Sequence, residues 1–265
     1  MVSRQESDSG SATTGYLILS GLTVVLFALA FKEPMYIIFA IPLAFIFTLG
    51  ASVDKSGKGS VDDDLEAVGW SDKGMNLAIP LGIIGGMAAL FIGSIITKFT
   101  PETASIMVPD FSGIAALSTA TVIPPTLALS ANIIAQWLCV APSEEALARV
   151  LAPFAFMKIF KNAILAFILA AFFWMFMHAP TYLAQGANQS MYLVLLLLAF
   201  ITTGLYIFTK NLMSSIVAHG VFNSGVLLSS SNFDSGTMYV VLIIVSVLVY
   251  AWLSGVLKSN NKVKS

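Results

Sequence analysis

Eight stretches of seventeen or more mostly apolar residues run through this chain, at 14–31, 35–52, 75–97, 126–157, 162–178, 190–208, 212–231 and 237–257. A helix needs about 20 such residues, within a range of about 17–25, to cross the hydrocarbon core of a bilayer. Backbone in lipid has no water to bond with, so only helices and closed barrels span it. The expected fold is therefore all-α, a polytopic membrane helical bundle of about eight transmembrane helices. Charged residues make up 10% of the chain, against about 25% in a soluble domain, so most of its surface is suited to lipid. The fourth stretch exceeds one crossing and is expected to be interrupted by proline. Residues 111–123 are apolar, and Pro124 and Pro125 separate them from that fourth stretch, which predicts a partial or re-entrant helix. No internal repeat is visible. The expected organisation is a polar, uncleaved cytoplasmic tail at 1–15, one membrane-embedded domain at 16–257 with its motif core at 75–230, and a basic cytoplasmic tail at 258–265.

Charge placement orients the bundle. With eight spans, one side collects Arg4, Lys55, Lys58, Lys73, Lys158, Lys161, Lys210, Lys258, Lys262 and Lys264, and the other only Lys32 and Lys98. Ten cations against two place both termini in the cytoplasm, giving a multi-pass integral membrane protein. The acids of the 53–74 loop (Asp54, Asp62, Asp63, Asp64, Glu66 and Asp72) count little in that rule and read as a solvated loop. A net charge of -1 without a basic stripe argues against a nucleic-acid partner. The single cysteine, Cys139, has no partner for an internal disulfide and reads as a packing residue rather than a nucleophile. Gly82 and Gly86, followed by Ala89 and Gly93, form small-residue steps suited to close helix packing within one molecule.

Against this apolar background, five ionisable residues besides Cys139 and the tyrosines fall within predicted spans: Glu144, Glu145, Arg149, His178 and His219. On insertion scales a charge at the bilayer centre costs about 2.5–3.5 kcal/mol, which makes each a functional candidate. Glu145 and Arg149 are four apart on one helix face and are expected to pair as structural support. Glu144 lies about 100° further round and is left to do chemistry. Pro142 cannot give an N–H to the carbonyl of Leu138 and should loosen the helix just before the acids. Trp174 is one turn before His178 and positioned to pack against or shield its ring. Asn223 is likewise one turn after His219, and Gly220 and Gly225 leave room for close approach of backbone or substrate. One difficulty is depth. Counted from the cytoplasmic span ends, His178 lies about 25 Å in and His219 about 12 Å, so tilts, breaks or other span boundaries are needed for them to meet.

In order and spacing these segments resemble the CAAX-protease and bacteriocin-processing family of membrane-embedded glutamate proteases, which includes the Rce1-type prenyl-protein endopeptidases. Its E-E-x-x-x-R motif matches Glu144-Glu145-Ala146-Leu147-Ala148-Arg149 after Ala141-Pro142. Its F-x-x-x-H motif matches Trp174 to His178 with Trp for Phe, and its H-x-x-x-N motif matches His219 to Asn223. Val150 stands where a glycine often follows the motif arginine. The resemblance implies an intramembrane endopeptidase in which Glu144 takes a proton from water, His178 orients that water, and His219 and Asn223 donate to the oxyanion. Donors of that kind are worth about 2.7–4 kcal/mol each. A water-filled pocket open to one side is expected around them. Its partners would be the lipid bilayer and a membrane-associated protein or peptide substrate, prenylated proteins being among the candidates.

Other chemistries fit less well. Glu144, His178 and His219 are a conceivable zinc ligand set with water in the fourth position. The chain has no H-E-x-x-H, however, and Glu145 is already matched to Arg149, so no cofactor is expected. A rhomboid-type serine site is not supported, because Phe222-Asn223-Ser224-Gly225 lacks the first glycine of that turn, and no aspartate lies in a predicted span. Two non-proteolytic readings stand beside the protease: a non-catalytic relative serving as scaffold or accessory subunit of a membrane complex, and a transporter or proton relay. A transporter would more often show repeated halves.

Overall fold

A helix at Leu212–Ser230 is enclosed on every side, with each residue from 214 to 228 buried. It is the centre of the bundle in this computed structural model, which describes residues 69–108 and 125–230. In chain order the described helices are α1 Met75–Ile96, α2 Pro101–Met107, α3 over residues 125–160, α4 Ala163–Ala184, α5 Gln189–Thr209 and α6 Leu212–Ser230. No strand occurs among the described residues. The expected spans at 14–31, 35–52 and 237–257, the helix at 111–123 and both tails lie outside them. α1, α5 and the Leu212–Ser229 stretch of α6 are long and apolar enough to cross a membrane. α1 and α5 expose Ile84, Phe91, Ile95, Leu193 and Phe208, a surface suited to lipid rather than water. The chain is an integral membrane protein.

α3 corrects the expectation of an interrupted fourth span. Helical structure runs unbroken through Pro142 and Pro153 because two π turns, Gln136–Val140 and Ala146–Leu151, precede them. In each the ladder slips to an i→i+5 bond, from Ala141 N–H to the Gln136 carbonyl and from Ala152 N–H to the Leu147 carbonyl. The wider turn accommodates the missing proline donor where an ordinary turn would break. The backbone just before the acids is thus loosened, as expected, without being broken.

The small-residue steps of α1 are packing sites within the molecule. A Cβ at Gly82 would lie 2.6 Å from the Ser214 carbonyl oxygen, and one at Gly86 2.5 Å from that of Ala218. The absent side chains let α1 sit directly on the backbone of α6. Gly86→Val is therefore expected to lower the melting temperature of the detergent-purified protein, at a cost of about 1–3 kcal/mol. Gly204 on α5 is the control, since a Cβ there would meet nothing within 4 Å. Thermal scans in which Gly86→Val melts with the wild type would contradict this account of the crossing.

One end of the bundle is tied by polar contacts. Asn211 gives its amide to the carbonyls of Ser71 and Lys73, both at 2.9 Å, and Leu212 N–H bonds the Gly69 carbonyl at 2.7 Å. This joins the end of the 53–74 loop to the α5–α6 turn, two segments that the charge pattern assigns to the same side. Two elements differ from expectation. α2 has no counterpart among the expected helices; it is nucleated by a capping box in which Thr100 and Thr103 bond each other's backbone, with Pro101 in the first turn. α4 does not stop at His178, the expected span end, but continues through Pro180 to Ala184. The continuation places Tyr182 in the core, fully buried, with its hydroxyl 3.5 Å from the Met107 carbonyl of α2.

Candidate active site

Every residue of α3 from 143 to 153 is buried, so both acids and the arginine are surrounded by protein. Glu145 and Arg149 pair as their spacing predicts, Nε to Oε2 at 2.8 Å, with both side chains fully buried. Arg149 also donates to Thr202 of α5, and its guanidinium carbon lies 5.7 Å from the centre of the Trp174 ring. Its Nη1 has no hydrogen-bond partner among the described residues. The ring face offsets part of that cost.

Side chains from two other helices converge on one oxygen of Glu144. From α4, Trp174 donates its indole N–H to Oε2 at 3.0 Å, and His178 Nε2 lies 3.5 Å from the same oxygen. From α6, His219 Nε2 lies 4.0 Å away. Trp174 does more than pack against the imidazole. Its ring centre is 4.6 Å from that of His178 and 5.5 Å from that of His219, so it fills the space between the histidines while bonding the acid.

Hydrogen bonds fix the far nitrogen of each imidazole. His178 Nδ1 is 2.8 Å from the Trp174 carbonyl, which can only accept, so Nδ1 carries the proton. His219 Nδ1 is 2.8 Å from Glu145 Oε1. Glu145 is the anion paired to Arg149 and likewise accepts. Glu145 Oε2 thus holds Arg149 Nε, while Oε1 is shared between His219 Nδ1 and a longer bond from Arg149 Nη2 at 3.4 Å. Both Nε2 atoms are turned toward Glu144.

The depth difficulty resolves in the helix offsets. His178 is about 22 Å along α4 from Ala163 and His219 about 10 Å along α6 from Leu212, yet both reach one carboxylate, so these helices are staggered or inclined. Asn223 is one turn beyond His219. Its Nδ2 donates to Gln136 Oε1 at 3.0 Å rather than to any residue at Glu144 Oε2. Gly220 and Gly225 make room for neighbouring side chains, not substrate: a Cβ at 220 would lie 2.8 Å from the Trp137 ring, and one at 225 would collide with Leu90.

Among the described residues, the side chains expected to line an open, water-filled pocket are almost wholly enclosed. Glu144 is 1% exposed, His219 2%, His178 3% and Asn223 4%. Trp174 and the packed helices close the space over the carboxylate. A cavity of about 350 Å³ lies between α4 and α5, lined by residues including Phe167, Phe200, Gly204 and Lys210. None of the site residues lines it. The side chain of Cys139 lies outside the described residues. Among the described residues no group of three or more His, Cys, Asp or Glu is placed to hold a metal ion.

Sequence reasoning missed Gln136, Thr202 and the Glu145–His219 bond. Gln136 had a usable signal, because Asn132 and Gln136 are polar residues four apart in an apolar run, the same spacing that marks Glu145 and Arg149.

Residues 126–225 match a family model described as Type II CAAX prenyl endopeptidase Rce1-like. The matched segment contains Glu144, Glu145, Arg149, Trp174, His178 and His219 and reaches just past Asn223. The family is one of peptidases, which supports a membrane-embedded peptidase at that coarse level. Comparison with curated proteins and with solved structures gives no match.

Proposed function

We propose that this protein is an intramembrane endopeptidase in which Glu144 activates water to cleave peptide bonds of membrane-associated proteins or peptides, prenylated tails among them. The observation that carries the reading is the convergence of Trp174, His178 and His219 on Glu144 Oε2. A water about 2.8 Å from both partners closes a triangle on the 3.5 Å gap between Glu144 Oε2 and His178 Nε2. With Nδ1 bonded to the Trp174 carbonyl, the neutral form of His178 would offer a lone pair at Nε2, so that one water hydrogen would bond the imidazole and the other the carboxylate. The oxygen lone pair is then free to attack a carbonyl.

In the attack a C–O bond forms, the water proton passes to Glu144, and the carbonyl oxygen becomes an oxyanion. Collapse of that intermediate breaks the C–N bond, and Glu144 returns the proton to the leaving amine. His219 donates a hydrogen bond from Nδ1–H to Glu145, so donating to the oxyanion from Nε2 requires a proton on that nitrogen as well. Asn223 supplies the second donor. Because the site is closed, turnover includes an opening step that admits peptide and water. The ten-to-two cation asymmetry supports both termini being cytoplasmic.

The reading takes the reaction to be metal-free. Glu144 Oε2 already accepts the Trp174 N–H, an arrangement that suits a base awaiting a proton. Purified protein assayed with a fluorogenic prenylated peptide and a panel of membrane peptides tests the proposal. Activity is expected to survive rigorous chelation within about twofold, whereas loss restored only by zinc would establish a metal enzyme. If folded wild type cleaves no peptide, the non-catalytic scaffold reading gains.

A further inference from the structure

Three carboxamides form a buried chain between α3 and α6. Asn223 Nδ2 donates to Gln136 Oε1 at 3.0 Å, and Gln136 Nε2 donates to Asn132 Oδ1 at 3.3 Å. Their exposures are 4%, 0% and 6%. Gln136 also opens the first π turn of α3, where its carbonyl takes the N–H of Ala141. One residue thus shapes the backbone leading to the acids and reaches across to the helix carrying His219.

A carboxamide has nearly the same shape in its two flips but opposite chemistry. One flip presents an N–H to a neighbour and the other presents an oxygen, which would repel an oxyanion. An acceptor held against one Nδ2 hydrogen selects the flip and leaves the second hydrogen available. Gln136 Oε1 is that acceptor, and its own flip is held by the Nε2 bond to Asn132. We infer that Gln136 is a positioning residue that locks the Asn223 carboxamide with an N–H toward the reacting carbonyl. The inference rests on the proposed hydrolytic reading, in which Asn223 faces the oxyanion.

The test is a double-mutant cycle on the full-length protein in detergent or lipid. Gln136→Met keeps the volume and removes the acceptor. It is expected to lower kcat by about 10- to 100-fold, short of the 10²–10³ loss typical of deleting an oxyanion donor, with KM within about threefold. In an Asn223→Ala background the same change should cost less than about twofold, because the residue acts through Asn223. Gln136→Glu retains an oxygen acceptor whatever its ionisation and should recover most of kcat.

A peptidyl phosphonate, which mimics the tetrahedral intermediate, gives a readout without turnover. Its affinity should fall about tenfold in Gln136→Met, including on a Glu144→Gln protein, while affinity for the parent peptide holds. Multiplicative losses in the cycle, a rise in KM alone, or unchanged phosphonate affinity would each overturn the inference. If Glu144→Gln turned over normally, the water-activation reading would fall, and the phosphonate arm would still decide the role of Gln136.

Discussion

Glu144→Gln is expected to reduce kcat by about 10²–10⁴-fold, the range for removing a positioned general base, while the protein folds and melts as before. The substitution is nearly isosteric. The side-chain oxygen of Gln still accepts the Trp174 indole N–H that bonds Glu144 at 3.0 Å. What is lost is the capacity to take a proton from water. An uncharged amide also removes the anion facing both imidazole Nε2 atoms, at 3.5 and 4.0 Å. The two consequences separate kinetically. Loss of the base lowers kcat with little change in peptide affinity, whereas a collapsed site would raise KM and lower the melting temperature together. Turnover of the prenylated peptide at the wild-type rate by Glu144→Gln would remove this carboxylate from the mechanism.

Much of the bundle was legible because lipid imposes one rule on every residue of a span. The stretches at 75–97 and 190–208 agree with α1 and α5 to within one residue at each end, and α6 begins at the expected 212. Errors arose where tertiary packing outweighed local sequence. The apolar stretch ends at 178, yet α4 continues to Ala184, and the extra turns bury Tyr182 against α2. Pro142 and Pro153 read as interruptions, yet π turns absorb them, and nothing in residue type distinguishes a π turn from a break.

The site divided in the same way. Spacing of four along a helix revealed Glu145 with Arg149 and Trp174 with His178, contacts internal to one element. Contacts between helices, such as His219 to Glu145, Arg149 to Thr202 and Asn223 to Gln136, depend on stagger and rotation. Those are set by the small residues and π turns rather than by motif spacing.

Glu145 offers a prediction that separates fold from chemistry. It holds Arg149 Nε at 2.8 Å through Oε2 and His219 Nδ1 at 2.8 Å through Oε1. Glu145→Ala strands a buried guanidinium and is expected to cost about 3–5 kcal/mol, which would appear as lost folded yield and a lower melting temperature. Replacing both partners, Glu145→Leu with Arg149→Met, removes the uncompensated charge. Such exchanges of buried ion pairs for apolar side chains are often neutral or stabilising by about 1–4 kcal/mol, so folding should largely return. Activity should not. His219 would have no partner at Nδ1 to fix its ring with Nε2 toward the site, and kcat should stay about 10²-fold down, the loss expected for an oxyanion donor. A folded double variant with wild-type kcat would show that the pair serves only to hold α3 together and that His219 acts without it. Recovery of stability without recovery of rate would place Glu145 in both the packing and the chemistry.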